Sequence, residues 1–313
     1  MLNRRRILSL IAGAGVAGVA RPVSAQSSAP IRVGCLAGES TGAALYAQDE
    51  GFFAKRGLTV SISTSVTNAA AAAAMLGGSL DVAIADVVVL ATAHDKGLPF
   101  VMLAPAELHS NKVPTLAIAV RDPAVKLGKD FNGKVFGCQT ITGLGYLVTV
   151  AWIDNNGGNS KSLKWVEIPF PAGGEALRRG TIDAFVAPDP FISSAVSLGN
   201  YLVLLDKKPI APALLQGAWY STKDWVSKNP AAAKAFAEAI REANVWGNAN
   251  PQGTAEILAK YSRLPLSVIA AQKMRGQYQE RFDFSTLQPL IDGAAKYGLV
   301  SKPFPARDLV ASL

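Results

Sequence analysis

Between residues 31 and 189 the chain alternates short apolar runs with longer stretches in which small and apolar residues recur at helical spacing. Residues 31–36, 58–63 and 82–85 read as strands, with helices predicted over 43–56 and 68–76 between them. Residues 134–138, 163–168 and 184–187 repeat the series, with helices over 144–155 and 174–179. Short runs such as Val82-Ala83-Ile84-Ala85 lack polar alternation, as strands buried on both faces of a parallel sheet do. Strands alternating with helices imply right-handed crossovers and a parallel sheet.

The series is an internal duplication. Arg32-Val33-Gly34-Cys35-Leu36 recurs as Val135-Phe136-Gly137-Cys138-Gln139. Gly78-Ser79-Leu80-Asp81-Val82-Ala83-Ile84-Ala85-Asp86 recurs as Gly180-Thr181-Ile182-Asp183-Ala184-Phe185-Val186-Ala187-Pro188-Asp189. Cys35 precedes Asp81 by 46 residues and Cys138 precedes Asp183 by 45. Ordered matches at near-equal spacing point to two βαβαβ units, hence two lobes. Asp81 and Asp183 are expected to fix the turns into the third strands, and Gly133 and Gly180 to supply turn geometry.

From about residue 221 the pattern is mostly helical. Asn229-Pro230 and Asn250-Pro251 each pair an N-cap residue type with proline at the first helical position. Ser285 is expected to cap a last helix ending at Gly298, and this tail is expected to pack on the first lobe, making that lobe discontinuous.

The N-terminus has a different character. Arg4, Arg5 and Arg6 precede an uncharged run rich in Ala, Gly and Val, shorter than the roughly 20 apolar residues of a membrane-spanning helix. Val23-Ser24-Ala25 then places small residues where a signal peptidase reads. Residues 1–25 are therefore expected to be an export signal cleaved after Ala25, by the Sec or the twin-arginine route. The leader holds four of the 31 basic residues and no acid, so 27 basic against 23 acidic side chains leave the remainder at +4. With no basic stripe interleaved with aromatics, nucleic-acid binding is not supported. Cys35 and Cys138 occupy equivalent strands of different lobes, so two buried free thiols are expected rather than a disulfide.

Glu50-Gly51-Phe52-Phe53-Ala54-Lys55-Arg56-Gly57-Leu58, together with residues 76–85, 127–137 and 177–191 and Lys228-Asn229-Pro230, carries a family resemblance. At these stretches the chain resembles the bacterial substrate-binding proteins for nitrate, taurine, alkanesulfonates and thiamine-precursor pyrimidines. The resemblance implies an α/β, two-lobed periplasmic-binding-protein fold. Two parallel-sheet βαβαβ lobes would be joined by two interlobe crossovers and followed by a C-terminal helical tail. Residues 30–112 plus 217–313 would form lobe 1 and residues 113–216 lobe 2. It further implies closure on a small organic solute (sulfonate- or taurine-like, zwitterionic or pyrimidine-like) and docking on an ABC permease in the inner membrane. A monomer without a cofactor is expected.

Ligands of open parallel sheets bind beyond the carboxyl ends of the strands. The loops so placed are residues 39–42, 65–68 and Asp86 in the first lobe, and residues 140–143, 171–174 and Asp189 in the second. Glu107, His109 and Asn111 lie near the first crossover. The candidate ligand residues are Ser40, Thr41, Thr67, Asn68, Asp86, His109, Thr140, Thr142, Gly143 and Asp189. Thr41, Asn68 and Thr142 serve equally as helix caps, and helix starts there would suit an anion. Asp86 and Asp189, equivalent in the repeat, are expected to face each other across the cleft. Carboxylates at those points suit an amine or hydroxyl of the solute. No cleft loop holds an arginine, which favours a zwitterion or a polar ring with donors over a bare inorganic anion.

An enzyme is the competing class. Two histidines, His94 and His109, form no metal-ligand pairing, and His94 reads as a solvated helix end. Cys35 and Cys138 sit in apolar strands where thiols stay inert, and Ser40 lacks a His–Asp partnership. The thiamine-pyrimidine branch of the superfamily uses a cysteine-rich motif absent from this chain. A sensor that presents its ligand to a membrane receptor is a further alternative.

Overall fold

The computed structural model describes residues 29–64, 68–110, 115–204, 210–270 and 276–313. The expected leader (1–25), Ser65, Thr67 and Asn111 lie outside the described residues.

The chain begins β1 (Ile31–Gly34), α1 (Gly42–Asp49), β2 (Val60–Ser63), α2 (Asn68–Leu76), β3 (Val82–Asp86), α3 (Val87–Asp95) and β4 (Phe100–Pro105). After β5 (Glu107–Ser110) it passes to β6 (Leu116–Val120), β7 (Val135–Cys138), α4 (Leu144–Asn155), β8 (Lys164–Glu167), α5 (Phe170–Arg179), β9 (Ala184–Pro188), α6 (Phe191–Ser197) and β10 (Tyr201–Leu204). It returns through β11 (Ala213–Leu215) and β12 (Gly217–Thr222) to α7 (Lys223–Lys228), α8 (Pro230–Ala249), α9 (Pro251–Ser262), α10 (Leu266–Ala270), β13 (Gln277–Tyr278) and α11 (Phe284–Lys296).

Two five-stranded sheets result, in the orders β2-β1-β3-β12-β4 and β10-β6-β9-β7-β8. β1–β3 and β7–β9 run parallel, as the βαβαβ pattern requires. β12 and β6 run antiparallel to β3 and β9. They depart from the all-parallel expectation because each arrives from the other sheet at the cleft end. Gly217 starts beside Asp86, and Leu116 starts beside Pro188.

The duplication is reproduced in atomic detail. Asp81 accepts the backbone N–H of Arg32 at 2.8 Å, and Asp183 accepts that of Val135 at 2.9 Å. The Ser79 hydroxyl donates to the Ala74 carbonyl at 3.1 Å, and the Thr181 hydroxyl to the Ala176 carbonyl at 3.0 Å. Gly78 and Gly180 both adopt the left-handed conformation, φ +71° and +74°, which a Cβ disfavours.

The crossovers are zipped together. β5 pairs antiparallel with β11 and β13 in a small three-stranded sheet, and Ala106 and Gln216 add backbone bonds to Gly217 and Glu107. The tail divides its packing. α8 and α9 lie on α1 of the first sheet, whereas α11 lies over α3, β11 and α4. Leu287, Leu290 and Ile291 join Val88 and Leu90 to Leu147 and Trp152 in one buried cluster that spans both sheets. The tail therefore bridges the lobes as well as completing the first.

Local chemistry differs from expectation at several helix ends. The first helix stops at Asp49, and Ala54–Arg56 forms a separate 3₁₀ turn. Asn229 and Asn250 donate their amides to the Trp225 and Trp246 carbonyls at 3.0 and 2.8 Å, so they close the preceding helices. The last helix is capped by Asp283, which accepts the N–H of Ser285, not by Ser285 itself. His94 packs on the Phe304 ring at 4.6 Å instead of standing in solvent. Cys35 and Cys138 are free and buried, and burial pushes both thiols up to about 12.

Candidate functional site

A cavity of about 130 Å³ opens between the carboxyl ends of the two sheets. The first lobe supplies Leu36, Ala37, Gly38, Ser40 and Thr41 after β1, and Ile84, Ala85 and Asp86 from β3. The second supplies Gln139, Thr140, Gly143, Leu144 and Gly145 after β7, and Val186, Pro188 and Asp189 around the end of β9. Phe170 and Phe191 form an aromatic wall, their rings stacked at 5.3 Å with 27° between planes. Leu116, Gln216 and Gly217 close the side where the chain crosses.

The two cleft aspartates differ in occupation. Asp86 caps α3 by accepting the Val89 N–H at 2.8 Å, and the same oxygen accepts the Leu144 N–H of α4 at 3.2 Å. Burial pushes its pKa up to about 6, against hydrogen bonds that favour the charged form. Asp189, only 5% exposed, accepts the Ser193 N–H at 3.0 Å through Oδ1. Its Oδ2 is buried and has no hydrogen-bond partner among the described residues. A buried carboxylate oxygen without a donor is costly, and most such groups have one.

Six of the ten candidate residues line the cavity: Ser40, Thr41, Asp86, Thr140, Gly143 and Asp189. The Thr41 hydroxyl is engaged by its own loop, donating to the Leu36 and Gly38 carbonyls and accepting the Gly38 N–H. Thr142 lies off the cavity wall and is bonded to the Thr140 hydroxyl at 3.2 Å. His109 is buried in the crossover sheet, away from the cavity lining. Its Nδ1 accepts the Thr115 N–H at 3.1 Å, the Thr115 hydroxyl bonds Gln216, and burial lowers its pKa to about 4. Thr115 thus links His109 in the first crossover to Gln216 in the second. Asn68 opens α2, and Thr67 lies outside the described residues. Residues 171–174, expected as a cleft loop, belong to the first turns of α5, where a Cβ on Gly173 would strike the Phe185 ring at 2.2 Å.

Buried carboxyl groups gather at the crossover, Glu39 and Glu107 among them. Glu107 is buried, and burial with the neighbouring charges of Glu39 and Asp189 raises its pKa well above the carboxylate range. Among the described residues, no group of three His, Cys, Asp or Glu side chains is placed to hold a metal ion. No helix among them is long and apolar enough to cross a membrane.

A family profile described as the NMT1-like family matches residues 24–262. The chain belongs to the NMT1-like family. No curated protein matches it. Solved structures share its fold. A ligand-binding component of an ABC-type import system from Staphylococcus aureus, with zinc bound, superposes with a TM-score of 0.79 at 13% identity, covering 91% of this chain and 97% of that one. The alkanesulfonate-binding protein SsuA from Xanthomonas axonopodis pv. citri, bound to MOPS, gives 0.73 at 17% identity, covering 91% and 98%. The periplasmic nitrate-binding protein NrtA from Synechocystis PCC 6803 gives 0.73 at 16% identity, covering 89% and 84%. Such likenesses show a periplasmic-binding-protein fold.

Within this NMT1-like chain the lining residues that sequence reasoning missed include Gln139, Leu144, Phe170, Phe191 and Gln216. Gln139 and Leu144 border the Thr140–Gly143 loop, so loop position alone could have found them. Gln216 sits in the return crossover and carries no local signal.

Proposed function

We propose that this protein is the extracytoplasmic solute-binding component of an ABC importer, holding a small organic solute between its lobes. The observation that carries the reading is the cavity at the strand ends, walled by both sheets, with the unpartnered Oδ2 of Asp189 on one wall. An apolar pocket with a few placed polar groups is the usual form of a small-molecule site, which supports this reading. The solute donates a hydrogen bond to Asp189, and closure is a hinge motion about the paired crossovers. Residues 30–112 with 217–313 move as one lobe and residues 113–216 as the other. The leader directs the chain to the periplasm, where the monomer delivers solute to a permease in the inner membrane. The buried, high-pKa thiols and the neutral, buried His109 supply no evident nucleophile or base, which favours a binder over an enzyme.

A thermal-shift screen of sulfonates, amino-sulfonates, amines, aromatic acids and pyrimidines tests this reading, since a ligand of the native state raises its melting temperature with occupancy. Asp189→Ala is expected to weaken the best ligand by about tenfold or more, the scale of one hydrogen bond to a charged group. Flat responses to every compound, with turnover of any of them, would overturn it.

A further inference from the structure

Among the described residues, the cavity wall carries carboxylates and no positive side chain. Asp86 and Asp189 line it, and none of the described lining residues is Lys, Arg or His. Asp86 is answered by two backbone N–H groups, whereas Asp189 has one such partner and an idle, buried Oδ2. Burial first, then the charges of Glu39 and Asp189, raise the pKa of Glu107, so this neighbour holds its proton and brings no positive charge to relieve Asp189. In a low-dielectric pocket an unbalanced carboxylate is costly, and a cationic ligand removes that cost.

Two further features point the same way. The N-terminus of α4 is where the free amides of this cleft would greet an anion, but Asp86 of the opposite lobe already takes the Leu144 N–H. An anionic solute bound at that amide would displace a carboxylate and then lie beside it. The stacked Phe170 and Phe191 rings offer π faces, which attract cations and accept apolar bodies.

We infer that the solute is a small organic cation, with an N–H-bearing ammonium or amidinium head bonded to Asp189 and an apolar body against Phe170 and Phe191. The inference rests on the cleft being a solute site and narrows its chemistry. It separates this chain from the structural neighbours described as binding alkanesulfonate and nitrate.

The test is a calorimetric titration of the purified chain with matched trios, each a single apolar body carried as ammonium, alcohol and sulfonate. Benzylamine, benzyl alcohol and phenylmethanesulfonate form one trio, with butyl and cyclohexylmethyl trios beside it and a general metabolite library screened in parallel. The expected result is that the tightest binder is a cation, preferred about tenfold or more over its sulfonate and alcohol partners, as one charge-assisted hydrogen bond allows. Asp189→Asn should erase most of that preference, weakening the cation far more than its alcohol partner. A sulfonate, carboxylate or neutral compound binding as tightly as any cation sinks the cationic assignment and leaves the solute-binding reading standing. Silence across trios and library sinks both.

Discussion

The Asp86 carboxylate of the first lobe accepts the backbone N–H of Leu144, the first residue of α4 in the second, at 3.2 Å. One oxygen thus caps α3 and ties it to the helix start across the cleft. Asp86→Ala is expected to lose the cap, about 1 kcal/mol of stability, and to populate open lobes in the absence of solute. Asp86→Asn, which keeps an acceptor oxygen, should lose less. Unfolding in urea reads the first effect, and the radius of gyration from small-angle scattering reads the second. An unaltered radius for the alanine variant would rule out the tie.

His109 makes the crossover sensitive to acid. Burial lowers its folded pKa to about 4, below the roughly 6.5 of an unfolded histidine. The unfolded chain therefore takes up this proton first. The stability contributed by neutral His109 is complete above about pH 6.5 and is lost as pH falls towards about 4, up to about 3 kcal/mol at 1.36 kcal/mol per pKa unit. Glu107, raised in pKa, acts with the opposite sign, so the comparison must be between the parent and His109→Gln. The stability difference between the two should change steeply from pH 6.5 to 4.5 and be level above 7. A difference independent of pH would show that His109 titrates normally.

How far the sequence reached depended on what encodes each feature. The strands and the duplication were legible because they rest on local hydrophobic pattern and on turns such as Gly78 and Gly180. The Asp86–Asp189 match is one residue out: Gly34 pairs with Ala83 and Gly137 with Phe185, so Pro188 is the counterpart of Asp86 and Asp189 lies one residue further on. The antiparallel entry of β6 and β12 was not, since direction depends on where a strand arrives from and not on its composition. At the site, loop residues flanking the repeat motifs were found, but Gln216 and the Phe170–Phe191 wall come from segments brought together only by tertiary packing. His109 was placed near the crossover correctly, yet its side chain joins Thr115, which in turn bonds Gln216, and does not line the cavity. Side-chain direction on a two-residue scale is beyond a pattern reading.

Gly173 shows the same distinction and can be tested. Its missing side chain leaves room for the Phe185 ring, since an added Cβ would come within 2.2 Å of it. α5 thereby lies close on β9. Gly173→Ala is expected to cost about 1–3 kcal/mol through overpacking, despite the better helix propensity of alanine. Chemical denaturation would measure it. A neutral or stabilising effect would mean that the ring shifts freely to admit the methyl group.

The duplicated aspartates make a last, internally controlled experiment. Asp81 and Asp183 each hold the first strand of their lobe through one backbone N–H. Their other partners differ. Arg32 grips Asp81 with two further bonds at 2.9 and 2.6 Å, whereas the repeat places valine at 135 and leaves Asp183 a contact with Arg121 at 3.5 Å. Burial alone would raise the Asp81 pKa, but the bonds from Arg32 outweigh it and hold the pKa below the usual value. Arg32 is 45% exposed, so solvent screens part of the pair's strength. Asp81→Ala should then cost about 2 kcal/mol at pH 7 and Asp183→Ala about 1 kcal/mol, the scales of charged and ordinary hydrogen bonds after screening. The ionic share at Asp81 is fully present above about pH 4, the unfolded carboxyl's value, and is lost as pH falls through the lower folded pKa. Urea midpoints for the two variants should therefore converge in acid. Equal costs at pH 7 would show that the shared backbone bond, and not Arg32, sets the contribution of both.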